Sequence, residues 1–76
     1  MKINLQVSDF LKRYIGDKKT IELTLKDNAT VKDAISSVGI PTNEIGFIVL
    51  NGNKIDNELM LNEGDEIKVY NLIIGG

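Results

Sequence analysis

The sequence ends in Gly75-Gly76, directly after the aliphatic run Leu72-Ile73-Ile74. Chance places two glycines at a chain end in roughly 0.5% of sequences, so the pair needs a reason. Without a Cβ, glycine lets another backbone, a nucleotide or the walls of a narrow tunnel come close. An α-carboxylate on Gly76 is the least hindered carboxylate this chain can present. Carboxylate oxygen leaves poorly, so chemistry there needs activation, for which adenylation is the usual remedy. The residues before it fit such a role. Neighbours on an extended segment face opposite sides, so Leu72, Ile73 and Ile74 cannot all enter one core. At least one is expected in solvent, where another protein's groove would receive the segment as an added strand. Taken alone, the same residues also fit a flexible end that merely completes a strand.

Other chemistry is scarce. The chain has no cysteine and no histidine, which removes thiolate nucleophiles, disulfides, zinc-thiolate sites and the commonest general base. A stand-alone hydrolase, metalloenzyme or redox enzyme is a poor fit. Asp56, Glu58, Glu63, Asp65 and Glu66 cluster in sequence and would make either a rim that steers a basic partner or a solvated turn region. Their spacing is not that of a calcium loop. Gly39, Gly46, Gly52 and Gly64 read as scattered turn formers, with no phosphate-binding loop among them. Lys12-Arg13 and Lys18-Lys19 read as solvated surface. With a formal charge of −2 and a pI near 4.9, nucleic acid is not an expected partner. Tyr14 and Tyr70 read as packing residues, Tyr70 towards an open sheet face.

These groups must be held by one small domain, because 76 residues leave room for nothing else. A chain this size buries roughly 60% of its unfolded surface, near the lower limit for unaided folding. Apolar residues make up 42% and charged residues 26%, ordinary for a folded domain. No apolar run is long enough to span a bilayer and the amino terminus lacks a leader core, so a cytoplasmic location and no membrane partner are expected.

The pattern predicts the elements. Ile3, Leu5 and Val7 alternate with polar residues as a half-buried strand. Ser8 or Asp9 would cap a short helical segment that places Phe10, Leu11, Tyr14 and Ile15 on one face and exits at Gly16. Ile21, Leu23 and Leu25 form a second strand. Thr30 and Asp33 read as a capping box for the main helix, with Val31, Ala34, Ile35 and Val38 facing the core and Gly39 and Pro41 ending it. Phe47 to Leu50 would be the third strand, Asn51-Gly52 a tight hairpin and Asn53 to Ile55 the return. Leu59 and Leu61 are expected to reach the core from an irregular segment. Ile67 and Val69 mark the last strand. The economical solution is an α+β fold: a mixed sheet of four or five strands with one main helix across a face.

With these elements in order, Phe47-Ile48-Val49-Leu50-Asn51-Gly52, Leu61-Asn62-Glu63-Gly64-Asp65-Glu66-Ile67-Lys68-Val69-Tyr70 and the terminal Gly75-Gly76 resemble the ubiquitin-like sulfur carriers. These are the molybdopterin-synthase small subunit (MoaD) and the thiamin sulfur carrier (ThiS), both of the β-grasp fold. The segment Ser8 to Gly16 resembles the molybdopterin branch more closely. Ile74 and Asn71 depart from the usual residues of the family, as does the lack of a ubiquitin-type Arg before the glycines.

The resemblance implies a β-grasp domain over residues 1–71 and an extended reactive tail over 72–76. It also implies a protein substrate rather than an enzyme, of a kind that is also catalogued as a synthase's small subunit. A ubiquitin-activating-enzyme-like adenylyltransferase would spend ATP to adenylate Gly76, with Gly75 beside it. A persulfide enzyme or sulfide would convert the adenylate to a thiocarboxylate. An acceptor synthase would then take the sulfur, for molybdopterin first and thiamin thiazole next. Tyr70, Leu72, Ile73 and Ile74 would contact the partners, and no cofactor would be bound. The competing expectation is a β-grasp module that binds a protein non-covalently and needs no free carboxylate.

Overall fold

The computed structural model describes residues 1–73; Ile74, Gly75 and Gly76, three of the expected site residues, lie outside the described residues. Strand β1, Lys2–Val7, is followed by a 3₁₀ segment, Asp9–Ile15, and β2, Thr20–Thr24. Helix α1, Val31–Val38, and a short 3₁₀ turn, Thr42–Glu44, lead to β3, Ile45–Leu50, β4, Asn53–Ile55, and β5, Glu66–Asn71. The five strands form one sheet in the order β2-β1-β5-β3-β4. Only the central β1–β5 pair is parallel. Helix and sheet together give the expected β-grasp arrangement.

Alternation decides which side of the sheet is covered. Ile3, Leu5 and Val7 of β1 and Ile67 and Val69 of β5 are buried with Ile48 of β3, in one cluster with Val31, Ala34 and Ile35 of α1. Their strand neighbours face the other side of the sheet. An isolated helix of eight residues would not persist in water. Its apolar face stabilises it here, at about 1.5–3 kcal/mol per buried large side chain. The capping box forms as expected: Thr30 Oγ1 accepts from Asp33 N and Asp33 Oδ2 accepts from Thr30 N. The bond from the Thr30 backbone N–H is the main cause that holds the Asp33 carboxyl below its ordinary range. At the hairpin Asn51 and Gly52 both take positive φ, 50° and 88°, the geometry of a two-residue turn with strand-matched twist.

Several expectations are corrected. Phe10 is 73% exposed while Leu11 and Ile15 are buried, because a 3₁₀ period of three stacks residue 10 over residue 13 rather than over Tyr14. Ser8 makes no side-chain cap bond. Leu61 is buried but Leu59 is 39% exposed. The strand-like pairing there is an isolated bridge between Thr30 and Met60 and not a ladder, so strand alternation does not extend back to Leu59. The third strand starts at Ile45, two residues earlier than the apolar run suggests. Gly46 is no turn former: the β3–β5 register slips between Ile45 and Phe47, which makes it a bulge residue.

Candidate functional site

The geometry that bears on function lies where β5 leaves the sheet. Tyr70 and Asn71 end the strand, and Leu72 and Ile73, 45% and 86% exposed, carry the chain onward. β1 runs beside β5 in parallel as far as the Val7–Val69 pair. There the backbone of β1 turns away into the 3₁₀ segment, with Ser8 N donating to Val69 O at 3.0 Å. The next bond of the ladder is supplied by a side chain. Ser8 Oγ accepts from Asn71 N at 3.0 Å and donates to Asn71 Oδ1 at 2.7 Å. The hydroxyl stands where a strand carbonyl would otherwise be, which explains why it is not used as a helix cap. Asn71 Nδ2 donates in turn to Leu72 O at 3.3 Å.

The opposite edge of the exit is held as well. Leu72 N donates to Glu44 O at 2.8 Å, one residue before β3 begins. The Gly46 bulge lets the strands close up at this point: a Cβ there would lie 2.7 Å from Asn71 O and 3.2 Å from Leu72 Cα. Glu44 is itself fixed. Arg13 Nη2 pairs with its Oε1 at 2.6 Å, and the Tyr14 hydroxyl donates to its Oε2. The carboxylate acceptor raises the Tyr14 pKa above the ordinary phenol value. The bond to Tyr14, then the charge of Glu44, raises that of Arg13. Arg13 Nη1 also donates to Phe10 O at 3.1 Å. Beside the exit lies an open groove of about 450 Å³, lined by Phe10, Arg13, Glu44, Asn71, Leu72 and Ile73 among others.

A second feature adjoins it on the uncovered face of the sheet. Phe47 and Tyr70 are paired across β3 and β5 and stack with ring centroids 4.6 Å apart. The ammonium of Lys54 lies 5.2 Å from the Phe47 ring centre. The rings are 39% and 37% exposed, so the stack forms a flat aromatic platform. It sits one residue before the Ser8–Asn71 lock.

Of the expected contact residues, Tyr70, Leu72 and Ile73 therefore meet at one end of the molecule. On the sequence alone Ser8, Asn71, Arg13, Gly46 and Phe47 have other roles and Glu44 none, and none of them is among the expected site residues. Phe47 was legible from the rule that an alternating run must turn half its side chains outward; the contacts between Ser8 and Asn71, 63 positions apart, leave no local signal. The acidic residues do not converge on a site. Asp56 accepts from Glu58 N and Asp65 from Asn62 N, so two of them organise turns, and Glu63 accepts from Lys2 N at the start of β1. Among the described residues no acidic cluster is placed to hold a metal ion, and no helix is long and apolar enough to cross a membrane.

Comparison with known proteins adds three solved structures. Small archaeal modifier protein 1 of Haloferax volcanii is 17% identical, with 95% of this chain and 98% of that chain aligned and a TM-score of 0.78. A Pyrococcus furiosus protein named as a candidate molybdopterin converting factor, subunit 1, is 17% identical over 96% and 99% of the two chains, with a TM-score of 0.79. Subunit 1 of the molybdopterin-converting factor of Helicobacter pylori, solved in complex with subunit 2, is similar at 18% identity, full coverage of both chains and a TM-score of 0.66. Identities this low establish the shared fold. No curated protein sequence matches the chain. The family model described as Mut7-C ubiquitin matches residues 1–73.

Proposed function

Since the chain belongs to the Mut7-C ubiquitin family, we propose that it is a ubiquitin-like sulfur carrier whose reactive group is the carboxylate of Gly76. In this reading the protein is a substrate and not an enzyme. A partner adenylyltransferase brings ATP, and a Gly76 carboxylate oxygen attacks the α-phosphorus and expels pyrophosphate. A persulfide or sulfide sulfur then attacks the acyl carbon and expels AMP. With a persulfide, reductive cleavage of the S–S bond by a thiol frees the thiocarboxylate. The acceptor is a synthase, for molybdopterin in the first instance and the thiamin thiazole in the second. The setting is the cytoplasm.

The observation that carries the reading is the exit of β5. Backbone bonds on both edges deliver Leu72 and Ile73 to solvent, and the residues that follow end in Gly75-Gly76. The whole-length likeness to molybdopterin-converting factor subunit 1 supports it. So does that structure's description as a complex with subunit 2, which is the kind of partner the acceptor step needs.

A second reading, a non-covalent protein-binding module, draws on the exposed Phe47–Tyr70 platform. That platform would serve a partner with or without tail chemistry. The deciding experiment is intact mass after incubation with the host's adenylyltransferase, ATP and a sulfur donor. Replacement of one oxygen by sulfur, mapped to Gly76, is the expected result. No adduct with an active, matched enzyme, together with full partner binding by a C-terminally fused chain, would favour the module.

A further inference from the structure

The direction in which a tail leaves a domain is normally left to the last strand residue, because termini fray where nothing binds their backbone. Here it is held at two consecutive residues from opposite sides. Asn71 N–H is bound by the Ser8 hydroxyl on the β1 side. Leu72 N–H is bound by the Glu44 carbonyl on the β3 side. The Asn71 side chain links the two, accepting from Ser8 Oγ with its oxygen and donating to Leu72 O with its nitrogen. Glu44 is kept in place by Arg13 and Tyr14, which occupy one carboxylate oxygen each. Of these groups only Tyr14 packs against the hydrophobic core, and the Ser8 hydroxyl acts beyond the β1–β5 register, which is complete at Val7.

We propose that Ser8 and Asn71, braced by Glu44 across the exit, form a clamp that aims the C-terminal tail, and that Ser8 and Asn71 are positioning residues for acyl transfer at Gly76. The proposal rests on the carrier reading of that tail. Its physical content is an entropic one. A tail hinged at Tyr70 would sweep a wide cone, and few of its conformers would place a carboxylate at near-attack distance. A tail fixed as far as Leu72 has two fewer residues of freedom to lose when it reaches a partner's nucleotide. The hydroxyl of Ser8 is suited to the task because it accepts and donates at once, replacing a strand that has already turned away.

The clamp and the carrier reading are separable by experiment. Ser8→Ala, Ser8→Thr and Asn71→Ala are compared with the unaltered chain by amide hydrogen exchange at Leu5, Asn71 and Leu72, and by adenylation kinetics with a matched adenylyltransferase. Loss of one or two hydrogen bonds is expected to speed exchange at Asn71 and Leu72 about threefold to tenfold, with Leu5 unchanged. The two alanine variants are expected to lower kcat of adenylation by a similar factor. KM for the carrier should stay within about twofold of the wild-type value, since the docking platform is untouched. Ser8→Thr, which keeps the hydroxyl, should restore both. Unchanged exchange at Leu72 in both alanine variants would overturn the clamp. Faster exchange with unchanged kcat would overturn the positioning role. If the unaltered chain accepts no adenylate from an active enzyme, the carrier reading and the positioning role fall together, and exchange at Leu72 still decides whether the clamp exists.

Discussion

Replacing Gly46 by alanine is the most local way to disturb the exit of β5 without touching the core. The added Cβ would meet three backbone atoms: Asn71 O at 2.7 Å, Asn71 C at 3.1 Å and Leu72 Cα at 3.2 Å. Comfortable contact needs separations roughly 0.5–1 Å larger, and no side-chain rotation can supply them. If residues 71 and 72 give way, the 2.8 Å bond from Leu72 N to Glu44 O stretches past useful length, a loss of about 0.5–1.5 kcal/mol. If they hold, the overpacking costs about 1–3 kcal/mol. Stiffening of the unfolded chain offsets roughly 0.4–1 kcal/mol of either. The net loss is about 0.3 kcal/mol if the exit moves and about 1.3 kcal/mol if it holds, which in a domain of this size lowers Tm by roughly 1–2 °C or roughly 5–10 °C. Thermal unfolding read beside hydrogen exchange at the Leu72 amide separates the two routes: faster exchange with a small Tm change means the exit has moved, and retained protection with a larger drop means it has held. A Tm within about 2 °C of wild type with Leu72 as protected as before would refute the close approach itself.

The 3₁₀ segment supplies a matched pair. Leu11→Ala is expected to cost about 2–5 kcal/mol in denaturant unfolding, whereas Phe10→Ala should stay within about 0.5 kcal/mol; equal effects would contradict the three-residue period that separates them. Thr30→Ala removes the helix cap and should cost about 1 kcal/mol in the same assay. Because the Asp33 pKa is lowered in the folded state, its contribution is complete above the ordinary aspartate value and fades as pH falls through the lower folded value. Asp33→Asn should therefore flatten the acid limb of the stability profile. Tyr14 behaves in the opposite sense: its pKa is raised by the bond to Glu44, so that contribution is present below the ordinary phenol range and disappears as pH rises through the raised folded value. Glu44→Gln should bring the Tyr14 titration, followed by ultraviolet difference absorbance, back towards the ordinary range. Phe47→Ala should lose about 0.5–1.5 kcal/mol beyond the area it uncovers, and a double-mutant cycle with Tyr70→Ala should show that coupling; strict additivity would mean the stack contributes nothing.

Much of the fold was legible because its signals are local. Period two in Ile3–Val7 and Ile67–Val69, the Thr30–Asp33 box and the Asn51-Gly52 turn each lie within a few residues and each took the expected form. What the sequence did not disclose depends on distant partners. Phe10 could be placed only once the segment was known to wind with three residues per turn. Leu59 could be placed only once its neighbour was seen to make a single bridge to Thr30. Gly46 looks like any loop glycine until β5 is laid against it. The exit residues are the clearest case: Ser8 and Arg13 read as a helix cap and as solvated surface, because their partners Asn71 and Glu44 are brought to them by the sheet and by the turn before β3.

One strand joins the two functional features, and this limits how they can work together. Tyr70 contributes to the aromatic platform and Asn71 to the clamp, so a partner seated on the platform receives the tail at a fixed offset. Beyond Leu72, the last of the described residues with a backbone bond to the sheet, the four residues to Gly76 span at most about 13–14 Å. A reacting centre reached by the Gly76 carboxylate must lie inside that radius of the clamp, and one residue more or less shifts the limit by roughly 3.5 Å. Acyl transfer tolerates misplacement of only about 1 Å before rates fall steeply. Carriage of sulfur on this fold therefore demands a tail of fixed length as well as a fixed direction, whereas binding through the platform alone is indifferent to both. Sensitivity to tail length with unchanged affinity for the partner is thus the signature that belongs to the carrier and not to the module.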